Sequence, residues 1–381
     1  MKKIMFSVGE PSGEVLAIEV IKKLKSYKNE GLYFFGMGGN NLESHGLKLI
    51  VNSTELAIIG FVEVLKKWFT LKNALQKLHH ELIINRPDVL ILVDYVEFNL
   101  RLGKIAKSLH IPVIFYVSPQ IWAWGEKRIK RIENATDKVA CILPFEVDLY
   151  KYSNIDISYV GHPLVEILPP ISSFKSNRDK LKLSSDSKVI GILPGSRISE
   201  LSRHLPILKK TILSLYDFDK KFIFLLAGAS RSLLKNIITP WIFDLKKKGV
   251  KINVIYDNTY EIIAASNVVA VASGTATLET ALIGSPMVVF YKTSNISYFV
   301  LKRIIKVKYI SLVNILLNRK SVTELIQDEA NPKSLTEALL GVLNSTQKQN
   351  KQLRDFTEIR NVLGVKSASD NVSKLILDII N

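Results

Sequence analysis

Short uninterrupted runs of β-branched and aliphatic residues recur along this chain, and segments of helical length separate most of them. In the first half they are Ile4 to Val8, Leu32 to Phe35, Val89 to Val93, Val113 to Tyr116 and Lys138 to Ile142. In the second they are Val189 to Leu193, Phe222 to Leu226, Ile252 to Ile255, Val268 to Val271 and Met287 to Tyr291. Runs that are apolar at every position belong to strands covered on both faces, as in parallel sheets with helices on each side. Two such series in tandem predict an α/β protein of two Rossmann-like doubly wound domains facing a cleft. Leu164 to Lys188, with Pro169, Pro170 and a Ser/Lys-rich run, has the composition of a linker. The expected domains are therefore 1–165 and 166–354, with a helical tail at about 355–381 packing back on the first domain or swapped.

The length of 381 residues agrees with two cores rather than one. The amino-terminal MKKIMFSVGEPSGE breaks its apolar run too early for a signal segment, and no uncharged run approaches the ~18–20 residues of a membrane span, so a cytoplasmic protein is expected. Cys141 is the single cysteine, which excludes a disulfide within the chain. The 52 Lys and Arg against 35 Asp and Glu give a net charge of +17, which favours an anionic partner: nucleic acid, an acidic membrane surface or a phosphorylated substrate. No zinc-finger spacing, RNA-recognition motif or Arg-rich arm is present, so nucleic acid ranks last.

In doubly wound sheets ligands bind beyond the carboxyl ends of strands, so the loops there are where chemistry is sought. Pro194-Gly195-Ser196-Arg197 joins an apolar run to a helix that starts at about Glu200. Such a turn leaves backbone N–H groups and the positive helix end unpaired, and Arg197 adds a planar cation, so the turn either suits a diphosphate or is only a strand-to-helix turn. Ser273-Gly274-Thr275 repeats the arrangement, with Glu279 one turn on and placed to accept hydrogen bonds from a ribose. In the first half, Gly9-Glu10-Pro11-Ser12-Gly13-Glu14 is either an anion-binding turn with cleft-facing carboxylates or a plain helix start. Asp94, just after an apolar run, has the position of a general base, although a helix cap explains it equally. The loop Ser118-Pro119-Gln120-Ile121-Trp122-Ala123-Trp124 suits packing against a sugar or an acyl chain, and His162 is either structural or a catalytic or diphosphate-binding group.

Trp68 and Phe69, set among lysines in the helical stretch Thr54 to Leu82, suit either a lipid interface or a core-packing face, and the basic apolar stretch Ile296 to Leu317 is open to the same two readings. Gly36-Met37-Gly38-Gly39-Asn40-Asn41 fails as a dinucleotide fingerprint at its third glycine. The six histidines lack paired-ligand spacing, and Asp217-Phe218-Asp219 precedes a strand, so no metal and no cofactor are expected.

Together, VGEPSGE, FGMGGNNL, YVSPQIWAW, VGHPL, ILPGSR, ASGTATLE, PMVVFY and YISLVNILLNR resemble the lipid-A-disaccharide synthase family, in that family's order across nearly the whole chain. The resemblance implies a GT-B glycosyltransferase that is inverting and metal-independent. UDP-2,3-diacylglucosamine would be the donor and 2,3-diacylglucosamine 1-phosphate the acceptor. It also implies a homodimer peripheral to the cytoplasmic face of the inner membrane. The first domain would then serve the acceptor and membrane, and the second the UDP-sugar. Asp94, Glu10 and His162 are the catalytic candidates. Gly195, Ser196, Arg197, Ser273, Gly274, Thr275 and Glu279 would bind the UDP-sugar, and Ser12, Gln120, Trp122, Trp124, Trp68 and Phe69 the acceptor or membrane. The chain departs from the family pattern at Val96-Glu97, where a Pro-Asp pair is usual, at Glu14 in place of Asp, and at Val313 in place of Pro. The alternatives are another UDP-sugar transferase or epimerase of the same fold with a soluble substrate, or a non-catalytic nucleotide-sugar or anionic-lipid binding protein.

Overall fold

The computed structural model describes residues 1–28, 31–54, 64–124, 128–168, 178–228, 231–256, 258–294, 298–299 and 308–381, and the side chains of 64–68, 123–124 and 231–236 lie outside the description as well. The chain divides into two units, Met1–Glu166 with Leu363–Asn381, and Ile167–Val362.

The first unit holds seven parallel strands: β1 Lys2–Val8, β2 Leu32–Gly38, β3 Leu47–Asn52, β4 Val89–Val93, β5 Val113–Tyr116, β6 Lys138–Cys141 and β7 Asp156–Tyr159. Their order is β3-β2-β1-β4-β5-β6-β7. Successive side chains enter opposite layers, as strand geometry requires. Ile4, Phe6 and Val8 join a core with Ala17 and Ile21 of the helix Pro11–Tyr27, whereas Met5 packs with Leu78 and Leu82 of Val64–Ile84 and Leu102 and Ala106 of Val96–Ser108.

The last helix, Ala368–Ile380, completes the first of these layers with Val372, Ile376 and Ile380. Each is essentially buried, a contribution of about 1.5–3 kcal/mol per side chain. Ser367 caps this helix, and Glu166 accepts hydrogen bonds from the Ser367 hydroxyl (3.0 Å) and the Ser369 amide (3.1 Å). The returning segment is shorter than the expected 355–381. Residues 355–362 end the helix Thr346–Leu363, whose Gln352 bonds both the amide (2.8 Å) and the carbonyl (3.1 Å) of Met287 in the second unit.

The second unit holds β8 Val189–Leu193, β9 Ile223–Gly228, β10 Lys251–Tyr256, β11 Val268–Ala272, β12 Met287–Tyr291 and β13 Thr323–Ile326, parallel, in the order β10-β9-β8-β11-β12-β13. The helix Ile198–Phe218 covers one face with Leu201, Leu205 and Leu208. The stretch expected to be linker is partly built into this unit: Arg178 is buried and donates to the carbonyls of Ser184, Ser185 and Ser187 and to the Asn267 side chain.

In each sheet the chain reverses its direction of build once, between β1 and β4 and between β8 and β11. Adjacent loops diverge at such a point and leave a crevice beyond the strand ends.

Candidate active site

At the first switch point, β4 ends in two consecutive non-glycine residues with left-handed backbone, Asp94 (φ 52°) and Tyr95 (φ 41°). β5 ends in a third, Val117 (φ 69°), a conformation costly for a β-branched side chain. The buried amide of Asn99 holds the β4 end in place. Its Nδ2 donates to the carbonyl oxygens of Asp94 (2.8 Å), Val93 (3.1 Å) and Ser7 (3.2 Å), while Oδ1 accepts from the Ser7 hydroxyl (2.6 Å). The glycines of the β1 loop make room for this arrangement. A Cβ on Gly9 would stand 2.3 Å from the Tyr95 ring, and one on Gly13 would stand 2.6 Å from Oδ2 of Asp94.

Asp94, Glu10, Gln120 and Ser118 line one cavity of about 730 Å³, with Leu71, Leu75 and Phe98 among its apolar walls and Lys72, Arg101 and Arg128 among its charges. Burial, and then the charge of Glu10, push the Asp94 carboxyl up to about 6. The shift suits Asp94 to accept a proton near neutral pH, whereas Glu97, in the same lining, is held low by its hydrogen bond to Arg131.

Other expected residues lie elsewhere. Glu14 is buried and accepts the amide of Leu42 (2.9 Å), and a Cβ on Gly39 would meet the same carboxylate, so the glycine-rich stretch after β2 serves packing. Ser12 is exposed in the first helical turn. His162 is 4% exposed, its Nδ1 accepts the amide of Leu164 (3.2 Å), and burial lowers its pKa to about 4. It is a neutral cap on the helix Pro163–Ile167 and does not line the Asp94 cavity. Trp122 stands edge-on to Phe145 (6.0 Å), beside the buried Glu146, whose carboxyl burial pushes up to about 8. Phe69 is 57% exposed. The side chains of Trp68 and Trp124, and residues 296–297 and 300–307 of the stretch Ile296 to Leu317, fall outside the described residues.

At the second switch point, Gly195, Ser196 and Arg197 after β8 and Ser273, Gly274, Thr275 and Glu279 after β11 all line one cavity of about 360 Å³. Gly195 (φ 100°) makes the turn. The turn differs from expectation in one respect. Its amides are not open, because the Glu200 carboxylate accepts from the backbone of Ser196 (3.1 Å) and Arg197 (3.2 Å) and from the Arg197 guanidinium (3.3 Å). The helix starts at Ile198, and Glu200 closes its capping box.

Open donors are found at the other helix, Thr275–Ile283, where among the described residues neither the Thr275 nor the Ala276 amide has a partner. The Ser273 hydroxyl donates to the carbonyl of Ile310 (2.9 Å). Glu279 has the Tyr260 hydroxyl beside it, and burial raises its pKa.

Sequence reasoning missed His204. It is fully buried, with Nδ1 2.7 Å from the carbonyl of Pro194 and Nε2 accepting the amide of Lys292 (3.1 Å), so it ties the Pro194-to-Arg197 turn to the end of β12. A helix-interior histidine gives no signal of this in one sequence. Asp217 and Asp219 are engaged by Lys220 and by the Lys221 amide, at the opposite end of the sheet. Among the described residues no three His, Cys, Asp or Glu side chains come together as a metal set.

The family model described as lipid-A-disaccharide synthetase matches residues 4–377. The lipid-A-disaccharide synthase of Trichlorobacter lovleyi is 34% identical over 379 residues, covering 100% of this chain and 98% of that one. The enzyme of the same name from Nitrosococcus oceani is 38% identical over 359 residues, covering 93% and 91%. Among solved structures, a UDP-GlcNAc 2-epimerase from Neisseria meningitidis bound to UDP-GlcNAc has a TM-score of 0.66 at 14% identity, covering 99% of this chain and 100% of that one. An S. aureus MnaA–UDP structure has a TM-score of 0.68 at 12% identity, covering 100% and 98%. At these identities the structures speak for the fold.

Proposed function

The chain belongs to the lipid-A-disaccharide synthase family, and from that premise we propose that it joins UDP-2,3-diacylglucosamine to 2,3-diacylglucosamine 1-phosphate, giving the β-1,6-linked disaccharide 1-phosphate and UDP. The observation that carries the mechanism is Asp94, a carboxyl raised to about 6 on a strained strand end in a largely apolar cavity. Asp94 takes the proton of the acceptor's 6-hydroxyl as that oxygen attacks the anomeric carbon of the donor. The bond from that carbon to the diphosphate breaks, and the electron pair leaves with UDP, so the configuration inverts. Glu10 acts through its charge, which helps keep Asp94 basic.

Arg197 and the free amides at Thr275 and Ala276 meet the negative charge that grows on the diphosphate. Glu279 is placed for the ribose. Cytoplasmic-face membrane association is supported by the +17 charge and by exposed Phe69, two residues before Leu71 of the acceptor cavity. Among the described residues no helix is long and apolar enough to cross a membrane. The homodimer rests on the family alone. Metal-independence also follows the family and is tested directly by chelation.

The test is UDP release by the purified protein with EDTA present. Release that requires both the acyl donor and the acyl acceptor supports the reading. Release without acceptor, or transfer to a deacylated glucosamine at an equal rate, overturns it.

A further inference from the structure

Removing a proton from an alcohol does not call for guanidinium groups, yet the Asp94 cavity has two of them and a lysine in its lining. Lys72 comes from the helix Val64–Ile84, Arg101 from Val96–Ser108, and Arg128 stands just before Ile129–Glu133. Glu97, an acid in the same lining, is held chiefly by Arg131 from outside the cavity. Arg131 grips it with both nitrogens, Nη2 to Oε2 at 2.6 Å and Nη1 to Oε1 at 3.3 Å, while Arg128 approaches it only to 3.7 Å. Arg101 lies one turn beyond Glu97 on the same helix and forms no ion pair among the described residues. Positive charge thus shares the lining of this cavity with Leu71, Leu75 and Phe98.

A ligand matching this lining has an apolar part, an alcohol and a dianion. We infer that Arg101 and Arg128 hold the phosphate of the acceptor, with Lys72 as a third charge, and so select the phosphorylated sugar over its neutral counterpart. Planar guanidinium groups match phosphate oxygens in pairs, which a lone lysine does not. The inference rests on the transferase reading above and adds the residues that recognise one end of the acceptor.

The experiment measures kcat/KM for the acceptor and for the same diacyl sugar without its phosphate, in wild type, Arg101→Ala, Arg128→Ala and Arg101→Lys, in mixed micelles of fixed lipid charge. Losing a charge-assisted contact lowers the preference for the phosphorylated acceptor by about 10- to 100-fold in each alanine variant, mainly through KM. Arg101→Lys recovers part of that preference. Thermal midpoints and UDP affinity report whether each variant is folded.

An unchanged preference in both folded alanine variants overturns the inference and leaves the transferase reading standing. So does a loss that is equal for the two acceptors and follows the anionic lipid content of the micelles, since the cations would then serve the membrane surface. Wild-type protein that releases no UDP with either acceptor removes the transferase reading and this inference with it.

Discussion

The Glu200 carboxylate accepts two hydrogen bonds from Arg197, one from its backbone amide at 3.2 Å and one from its guanidinium at 3.3 Å. It takes the Ser196 amide as well, at 3.1 Å, so the anion that fills this turn is the protein's own. The turn is thereby shaped before any ligand arrives, and the Arg197 side chain is left 71% exposed, which is what the proposed diphosphate contact requires. Glu200→Ala leaves two amides and a guanidinium without their acceptor. It should lower unfolding free energy by about 1–2 kcal/mol and weaken UDP binding measured by calorimetry, and Glu200→Gln should lose less of both. Tighter UDP binding by Glu200→Ala would show that the carboxylate blocks the diphosphate rather than shaping its site.

Asp94 couples stability to activity in opposite senses. Its folded pKa of about 6 lies above the value of 3.8 expected in the unfolded chain. Between those two values the folded protein holds a proton that the unfolded chain has released, so stability falls as pH rises through the window. At neutral pH the desolvated charge costs up to about 3 kcal/mol. Asp94→Asn removes that charge, so it should raise the thermal midpoint at pH 7.5 by an amount that disappears below about pH 4, while kcat falls by about 10²–10⁴. In wild type the acid limb of kcat/KM, which reports the free enzyme, should lie near pH 6. Glu10→Gln should move it to lower pH, and a limb that stays in place would remove Glu10 from the account.

Both doubly wound sheets were legible because their inner strands are apolar on both faces. The strands that escaped notice, β3, β7 and β13, are all sheet edges. Their burial is partial and their sequences LKLIVN, DISY and TELI are mixed, since one side of an edge strand needs no partner. At the sites, strand-end residues such as Asp94, Gly195 and Gly274 could be located because a doubly wound sheet puts its crevice there. His162 and Glu14 occur in equally suggestive strings but are buried in structural hydrogen bonds, and burial of a single side chain depends on contacts distant in sequence. The closure of the Pro194-to-Arg197 turn by Glu200 was within reach, as a glutamate three residues after the cap is a capping-box signal.

Gly13 lies inside the helix Pro11–Tyr27, where propensity alone favours alanine by about 1 kcal/mol. Contact reverses the expectation. The added methyl would stand 2.6 Å from Oδ2 of Asp94 and 3.1 Å from the Val93 side chain. Gly13→Ala should therefore fold and bind UDP as wild type does, since the clash lies in the first unit, but lower kcat at least tenfold by turning the carboxyl away, a loss of about 1.4 kcal/mol in transition-state stabilisation. Unchanged turnover in a folded Gly13→Ala protein would mean that the Asp94 carboxyl tolerates displacement and that its orientation does not limit the reaction.

Asn99 tests whether the strained strand end must be held. Its Nδ2 serves three carbonyls and its Oδ1 the Ser7 hydroxyl, buried except at the half-buried Asp94, so no other side chain of that size supplies both functions. Asn99→Asp turns the donor into an acceptor facing those carbonyls, and Asn99→Ala leaves the carbonyls and the hydroxyl without partners. Each buried group so orphaned costs about 1–3 kcal/mol, so Asn99→Asp should be the less stable of the two in chemical denaturation. Left-handed backbone at Asp94 and Tyr95 persists only where the surroundings impose it. Asn99→Ala, assayed well below its own thermal midpoint, should therefore lose kcat beyond what its folded fraction explains, with its acid limb moved as Asp94 settles into a more solvated position. Loss of activity in strict proportion to unfolding, with the limb unmoved, would assign Asn99 to stability alone.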